Sequence, residues 1–343
     1  RQLDSKDQEK YILKERKQKS HHVFKTDEWP LFEFKMLKLT DETNYLFFGL
    51  DMLIADGASI LMIIHEIMKY YDDPKLNLPE INCTFRDYML AYNDFKNGEV
   101  YKKDREYWLQ QLDSFPQAPV LPYKTDPSNI GQPHFDRCYK AFNSNQWNKI
   151  KGKVQENGIT PAAALCTAYA EVLGYWSNQD RVAINSTIFN RYPFHGEVNS
   201  IIGDFTSVML LGIDLKIGAT FFEKAKYVQN VFAEALEHRH YDGVEFIGEL
   251  SKYHNIGNKA AMPIVFTSML FGNTVDIGES ATNTFGDVKM SVSQTSQVFI
   301  DQQIIEVDGG ISITWDYVEQ LFEKDLIENM FEQYIGCLLY TSL

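Results

Sequence analysis

Tyr45-Leu-Phe-Phe-Gly-Leu50-Asp51-Met-Leu-Ile-Ala-Asp56-Gly-Ala-Ser59 passes from an apolar run, through two carboxylates five residues apart, to a residue type that favours helix starts. The run 45–50 predicts an inner strand buried on both faces. Ile60, Leu61, Ile64, Ile67 and Met68 fall at helical spacing, which predicts a helix from Ser59 with that serine as its N-cap. Working upstream, Phe32, Phe34 and Met36 alternate with Glu33, Lys35 and Leu37, the pattern of a half-buried strand, and a polar turn (Thr40 to Asn44) separates the two strands. Asp51 and Asp56 therefore sit where a strand ends and a helix begins, the end of an α/β strand at which ligands bind. On spacing alone, a plain tight turn at Asp56-Gly57 with Ser59 capping the helix is the favoured explanation of the same residues.

The same alternation continues downstream. A polar helix is expected from about Phe85 to Leu112, then a connector with Pro116, Pro119, Pro122, Pro127 and Pro133, the strongest linker signal in the chain. A boundary there divides the chain into lobes 1–130 and 131–343. The second half predicts strands at Phe135–Phe142, Arg181–Phe189, Phe205–Leu215, Pro263–Phe271, Val298–Val307 and Ile311–Trp315, the last two joined by a hairpin turn at Asp308-Gly309-Gly310. Helices are expected from Thr160, with Pro161 in its first turn, and from about Glu319. Strands and helices interleaved in both halves make an α/β chain of two layered lobes.

Composition narrows the function classes. With 343 residues, 44% of them apolar, and only 20 Gly and 11 Pro, the chain builds a sizeable core and is neither disordered nor fibrous. A net charge of −14 argues against nucleic acid and anionic membranes as partners. No apolar run approaches the length of a membrane span. Cys83, Cys138, Cys166 and Cys337 are scattered without a C-x-x-C pair, which argues against a disulfide framework or zinc site and points to a reducing cytoplasm. The absence of a P-loop, G-x-G-x-x-G or G-x-S-x-G removes support for nucleotide binding and for an α/β-hydrolase. His238 and His240 read as a solvated helix end rather than metal ligands, so no metal is expected. His21 and His22 in HHVFKTD miss the H-H-x-x-x-D-G acyl-transfer pattern, because Asp27 falls one place late and Glu28 replaces the glycine.

Strand, D-x-x-x-x-D-x-x-S, helix resembles the signature of the heterocyclization domains of nonribosomal peptide synthetases, relatives of condensation domains. Further blocks resemble the family in its order: FRDY (Phe85 to Tyr88), REYW (Arg105 to Trp108), FPQAPVLP, TPAAAL, AYAEVLGYWS, FNRYPFH (Phe189 to His195), GDFTS (Gly203 to Ser207), DGVEFIGEL, MPIVFTS (Met262 to Ser268), SQTSQVFIDQ (Ser293 to Gln302) and WDYVEQLF (Trp315 to Phe322). Ser296 stands where the family often has Pro. The resemblance implies two chloramphenicol-acetyltransferase-like lobes in a V-shaped pseudo-dimer. It also implies that a complete N-terminal lobe has a further stretch before Arg1, so this lobe is expected to be truncated, with an apolar face uncovered.

The implied reaction joins a carrier-bound acyl thioester to a carrier-bound Cys, Ser or Thr, then closes that side chain onto the new amide and expels water, giving a thiazoline or oxazoline. Condensation domains use a His at the motif; Asp51 and Met52 stand there, and a thioether moves no protons. The resemblance assigns proton transfer to Asp301 and Thr267, and a structural role to Asp56, paired with an unidentified Arg, in the motif with Asp51 and Ser59. It places Asn190 and Ser268 on the substrate channel. Asp301 lies among Val298, Phe299, Ile300, Ile304 and Ile305, which predicts a raised pKa, although Gln302 and Gln303 also fit a solvent-facing strand. For Thr267, ordinary strand propensity is the competing explanation.

Partners implied are upstream and downstream carrier domains, whose 4'-phosphopantetheine arms enter a tunnel between the lobes, and an adjacent adenylation domain that sets amino-acid choice. No cofactor is bound directly. Acidic carriers facing an acidic protein predict local basic patches among its 33 Lys and Arg. Two other functions stay open: an acyltransferase of this fold that does not cyclize, and an inactive fragment that only docks carriers.

Overall fold

A computed structural model describes residues 3–257, 259–270, 286–307 and 309–340. By compactness the chain forms two units, residues 1–89 with 191–205, and residues 90–190 with 206–343. Compactness thus draws its line differently from the prolines. The proline connector lies within the second unit, because its backbone is tied there: Ala183 N donates to Gln117 O (2.9 Å), Lys124 N donates to Leu321 O (2.8 Å), and Leu121 is buried.

In the first unit, helix α1 (Ser5–Ser20) is started by Asp4, whose side chain accepts from Asp7 N. Strands β1 (Phe32–Lys38) and β2 (Asn44–Leu50) pair antiparallel as a two-stranded sheet. The strands fall where the alternation puts them, but their faces are reversed. Phe32, Phe34 and Met36 are exposed, with Phe34 stacked on Phe48 at 4.6 Å between ring centroids. Glu33 and Lys35 are half-buried instead, because they carry the ion pairs to α1, Lys35 with Glu15 and Lys19 with Glu33. β2 is only half-buried and has β1 as its sole strand partner among the described residues, so it is not the doubly buried inner strand expected. Helix α2 (Gly57–Asp72) follows. Its N-cap is Asp56, one turn earlier than Ser59, since the Asp56 carboxylate accepts from Ser59 N at 2.7 Å.

The single helix expected over 85–112 is two, α3 (Phe85–Phe95) and α4 (Glu99–Leu109). The break falls at Gly98, whose extended backbone starts α4 while its N–H closes a turn onto Phe95 O. In the second unit, β3 (Phe135–Phe142), α5 (Ser144–Glu156), α6 (Pro161–Ser177), β4 (Arg181–Phe189), β5 (Thr206–Asp214), α7 (Phe221–Glu237), α8 (Gly243–Tyr253), β6 (Ile264–Met269), β7 (Ile300–Val307), β8 (Gly310–Val318) and α9 (Lys324–Tyr340) follow in order. The strands form one mixed sheet, β3-β8-β7-β6-β4-β5, parallel only at β4–β6 and β6–β7. β8 continues past Trp315 because its ladders to β3 and β7 hold through Tyr317 and Val318, which delays the last helix to Lys324. Phe271 and Asp308 lie outside the described residues; Gly309 has the positive φ that a tight hairpin requires.

One sheet face is the core. Trp315, Phe266 and Ile304 pack under α6 and α9 against Tyr169, Phe331 and Tyr334, with Gln302 buried between Trp315 Nε1 (2.8 Å) and Tyr334 OH (2.9 Å). His238 and His240 are not solvated as expected. Both imidazoles turn onto the buried Asp104 of α4, at 3.0 and 2.8 Å, which joins α4 to the turn between α7 and α8. No helix among the described residues is long and apolar enough to cross a membrane, and no His, Cys, Asp and Glu cluster among them could hold a metal ion.

Candidate active site

The other sheet face is polar, and strand pairing dictates how. Register sets Arg137, Asp316, Asp301, Val265 and Asn185 in one row across β3, β8, β7, β6 and β4, with Thr314, Gln303, Thr267 and Thr187 in the row beside it. Side chains two apart on each strand share this face. The residues alternating with them on the core face are buried, among them Ile184, Phe266, Ile300, Gln302, Ile304 and Trp315, so the polar residues are held on packed strands rather than loops.

Asp301 is only 7% exposed. Gln303 Nε2 donates to its Oδ2 at 2.7 Å, and Thr267 Oγ1 lies 3.4 Å from its Oδ1 and 3.0 Å from Thr187 Oγ1. A hydroxyl has one proton to give. When Thr187 donates to Thr267, the Thr267 proton is available to Asp301, so the two threonines form a short relay ending at the carboxyl. Burial pushes the Asp301 carboxyl up to about 6, with the Gln303 hydrogen bond opposing and the Asp316 carboxylate adding to the rise. A carboxyl poised there gives and accepts protons near neutral pH, which an ordinary aspartate does poorly.

The structure therefore brings Asp301 and Thr267 together. Ser268, next in sequence, is half-buried and projects to the opposite side of β6, opposite Ile304 in register. Asn190 is half-buried just beyond the end of β4. Arg137, Asn185, Thr187, Gln303, Thr314 and Asp316 complete the polar face and were not singled out from sequence. Their signal was present as polar residues spaced by two on separate strands (Asn185 and Thr187, Asp301 and Gln303, Thr314 and Asp316), but it becomes a site only once register aligns them.

The D-x-x-x-x-D-x-x-S motif is built in the first unit. Asp51 makes a local turn, its Oδ1 accepting from Leu53 N at 3.0 Å, and Met52 beside it is exposed. Asp56 and Ser59 are fully buried. The arginine that sequence could not name is Arg191, from FNRYPFH. Its Nη2 pairs with Asp56 Oδ1 at 3.2 Å and donates to Ser59 Oγ at 2.9 Å, while Nη1 donates to Val198 O and Ile201 O. The guanidinium lies 3.9 Å from the centroid of the Phe205 ring. Ser59 Oγ also donates to Gly203 O (2.9 Å) and accepts from Gly203 N (3.1 Å). Asp56, Ser59 and both Arg191 Nη atoms thus have partners, while Arg191 Nε is buried without one, and the motif locks residues 191–203 onto the start of α2.

The mixed α/β sheet thus carries a buried carboxyl, raised by that burial, on its polar face. The Condensation domain family model matches residues 1–341, and the chain belongs to that family, the acyl-transfer domains of nonribosomal peptide synthetases. It is similar to the cyclization-docking bidomain of EpoB from Sorangium cellulosum, with 32% identity and a TM-score of 0.90 over 99% of this chain and 69% of that one. Bacitracin synthase 1 of Bacillus licheniformis is 45% identical over 328 residues, 95% of this chain and 6% of that protein. Phenyloxazoline synthase MbtB of Mycolicibacterium paratuberculosis is 31% identical over 341 residues, 99% of this chain and 28% of that protein. The chain thus spans a minor part of the curated relatives it matches. The first condensation domain of the calcium-dependent antibiotic synthetase, 14% identical with a TM-score of 0.74, shares the fold.

Proposed function

We propose that this chain is a heterocyclization domain, which forms an amide between two carrier-bound substrates and then closes it to a thiazoline or oxazoline. One observation carries the reading: the sheet face holds a buried carboxyl raised to about 6 within reach of a threonine relay, while Asp51 and Met52 stand where a condensing histidine is required. The likeness to a cyclization domain and to a phenyloxazoline synthase supports it.

In the first stage the amine of a carrier-bound Cys, Ser or Thr attacks the upstream thioester, forming the amide and releasing the carrier thiol. The side-chain thiol or hydroxyl then adds to the amide carbonyl. Its proton passes by way of Asp301 to the carbonyl oxygen, leaving a ring carbon that bears a hydroxyl. In the last stage that hydroxyl departs as water with a proton from Asp301, the ring nitrogen gives up its own proton, and a C=N bond forms. The nitrogen's proton restores Asp301. Thr267, backed by Thr187, steadies the ionised carboxylate between transfers. A well-placed group of this kind contributes about 10²–10⁴-fold.

Substrates arrive on 4'-phosphopantetheine arms of upstream and downstream carrier domains, beside an adenylation domain, in the cytoplasm of a producer of siderophore-like or other secondary metabolites. Asn190 belongs to the channel wall, whereas Ser268, on the side of β6 away from Asp301 and Thr267, does not; lobes 1–130 and 131–343 belong to the family's architecture.

Incubation with loaded carriers and intact-mass analysis of the acceptor carrier tests this. The wild type is expected to give a product lighter than the amide by one water, and Asp301→Ala to stop at the amide. An Asp301→Ala chain that cyclizes as fast as wild type, or a wild type that accumulates only amide, contradicts the proposal.

A further inference from the structure

Asp301 is not the only carboxyl buried on this face. Register sets Asp316 of β8 directly opposite it, and Arg137 of β3 opposite Asp316, a row of three charged groups across three strands. Asp316 is fully buried. Its Oδ1 accepts from Arg137 Nε at 2.5 Å, and its Oδ2 accepts from Arg137 Nη2 at 2.5 Å and from Ser293 N at 3.0 Å. Arg137 Nη1 donates onward to Ser291 Oγ at 2.6 Å. Three N–H donors converge on two carboxylate oxygens and favour the anion, opposing the burial that raises the Asp316 carboxyl. Asp301 receives one amide N–H and one hydroxyl shared with Thr187. Two neighbouring carboxyls do not both ionise freely, so the proton goes to the less solvated of the pair by donors, Asp301.

We infer that Arg137 and Asp316 are positioning residues: the ion pair holds Asp316 as the anion of the two neighbouring carboxyls, and that anion makes Asp301 the proton carrier of the face. The inference rests on the proposed role of Asp301 in ring closure. Other groups face the row as well. Asp301 interacts with Tyr169 of α6, and Asp316 with Asp136 and Cys138 of β3. Burial raises Asp301 most, Asp316 raises it further, and Arg137 lowers it, so the two partners act on it with opposite signs. Ser291 and Ser293 anchor the segment leading into β7 to the same pair, which gives the pair a second, structural task.

The opposed signs supply the test. Titration of the Asp301 carboxyl by carbon-13 NMR, assigned by its loss in Asp301→Asn, reads the group without carriers or turnover. Asp316→Asn is expected to lower the Asp301 midpoint by about one unit, and Arg137→Gln to raise it. A purely structural pair gives no shift in either, and that result, or a shift of either in the other direction, overturns the inference. Should a single variant fail to fold, the neutral double variant Arg137→Gln/Asp316→Asn is read instead. The nearer charge dominates there, so a lowered midpoint supports the inference, and an unchanged or raised one overturns it. The pH profile of ring closure in the same variants separates this from the functional reading. Shifted midpoints with an unmoved profile uphold the pair's role and count against Asp301 as the cyclizing group; an Asp301-dependent profile with unmoved midpoints does the reverse.

Discussion

At the scale of single residues, the burial that raises Asp301 costs stability. Its folded pKa of about 6 lies above the carboxylate reference of 3.8. Between those values the unfolded chain ionises while the folded one resists, so the fold's disadvantage grows with pH through this window and is complete above it. Asp301→Asn is therefore expected to stabilise the protein at pH 8 by up to about 3 kcal/mol, with the gain vanishing below about pH 4, as read by urea denaturation at both pH values. A destabilised variant at pH 8 contradicts the burial argument. Arg191 behaves oppositely. Arg191→Met leaves the buried Asp56 carboxylate without its counter-charge, at an expected cost of about 3–5 kcal/mol in the same assay. Sequence showed the acids but not this partner, because a residue 135 positions away in the chain supplies it.

Elements show why local pattern succeeds and fails. β3 and β4 begin and end where alternation puts them, since their side chains meet a core on one face. α5 and α7 start at capping boxes, Asn143 with Gln146 and Thr220 with Glu223, and have one-sided apolar faces, whereas α6 is buried nearly all round. Thr220→Ala is expected to cost about 1 kcal/mol of thermal stability. Two glycines make a sharper contrast. A Cβ at Gly310 would lie 2.2 Å from Phe142 O, where β8 begins beside β3, whereas one at Gly152 in α5 meets nothing within 4 Å. Gly310→Ala is expected to lower the melting temperature, with a cost of about 1–3 kcal/mol, and Gly152→Ala to raise it by up to about 1 kcal/mol. Equal effects in the two variants would contradict the close approach of β3 to β8.

For the molecule as a whole, the α/β class and the motif were legible because both are written in short spacings. The candidate site was legible in part. Asp301 and Thr267 stand out once the family blocks are seen, but Thr187, Gln303, Asp316 and Arg137 join them only through pairings between strands far apart in sequence. The reversed faces of β1–β2 have the same cause, since Lys35 and Glu33 are drawn inward by charges on α1 that no strand pattern reveals.

The central claim, that the buried Asp301 carboxyl moves protons for ring closure and not for amide formation, is tested most directly by single-turnover kinetics. Amide formation and loss of water are timed in one sample by intact mass of the acceptor carrier, for wild type and Asp301→Asn. The account predicts amide formation within a few-fold of wild type and water loss slowed by about 10²-fold or more. Equal slowing of both steps, or water loss at the wild-type rate, would contradict it.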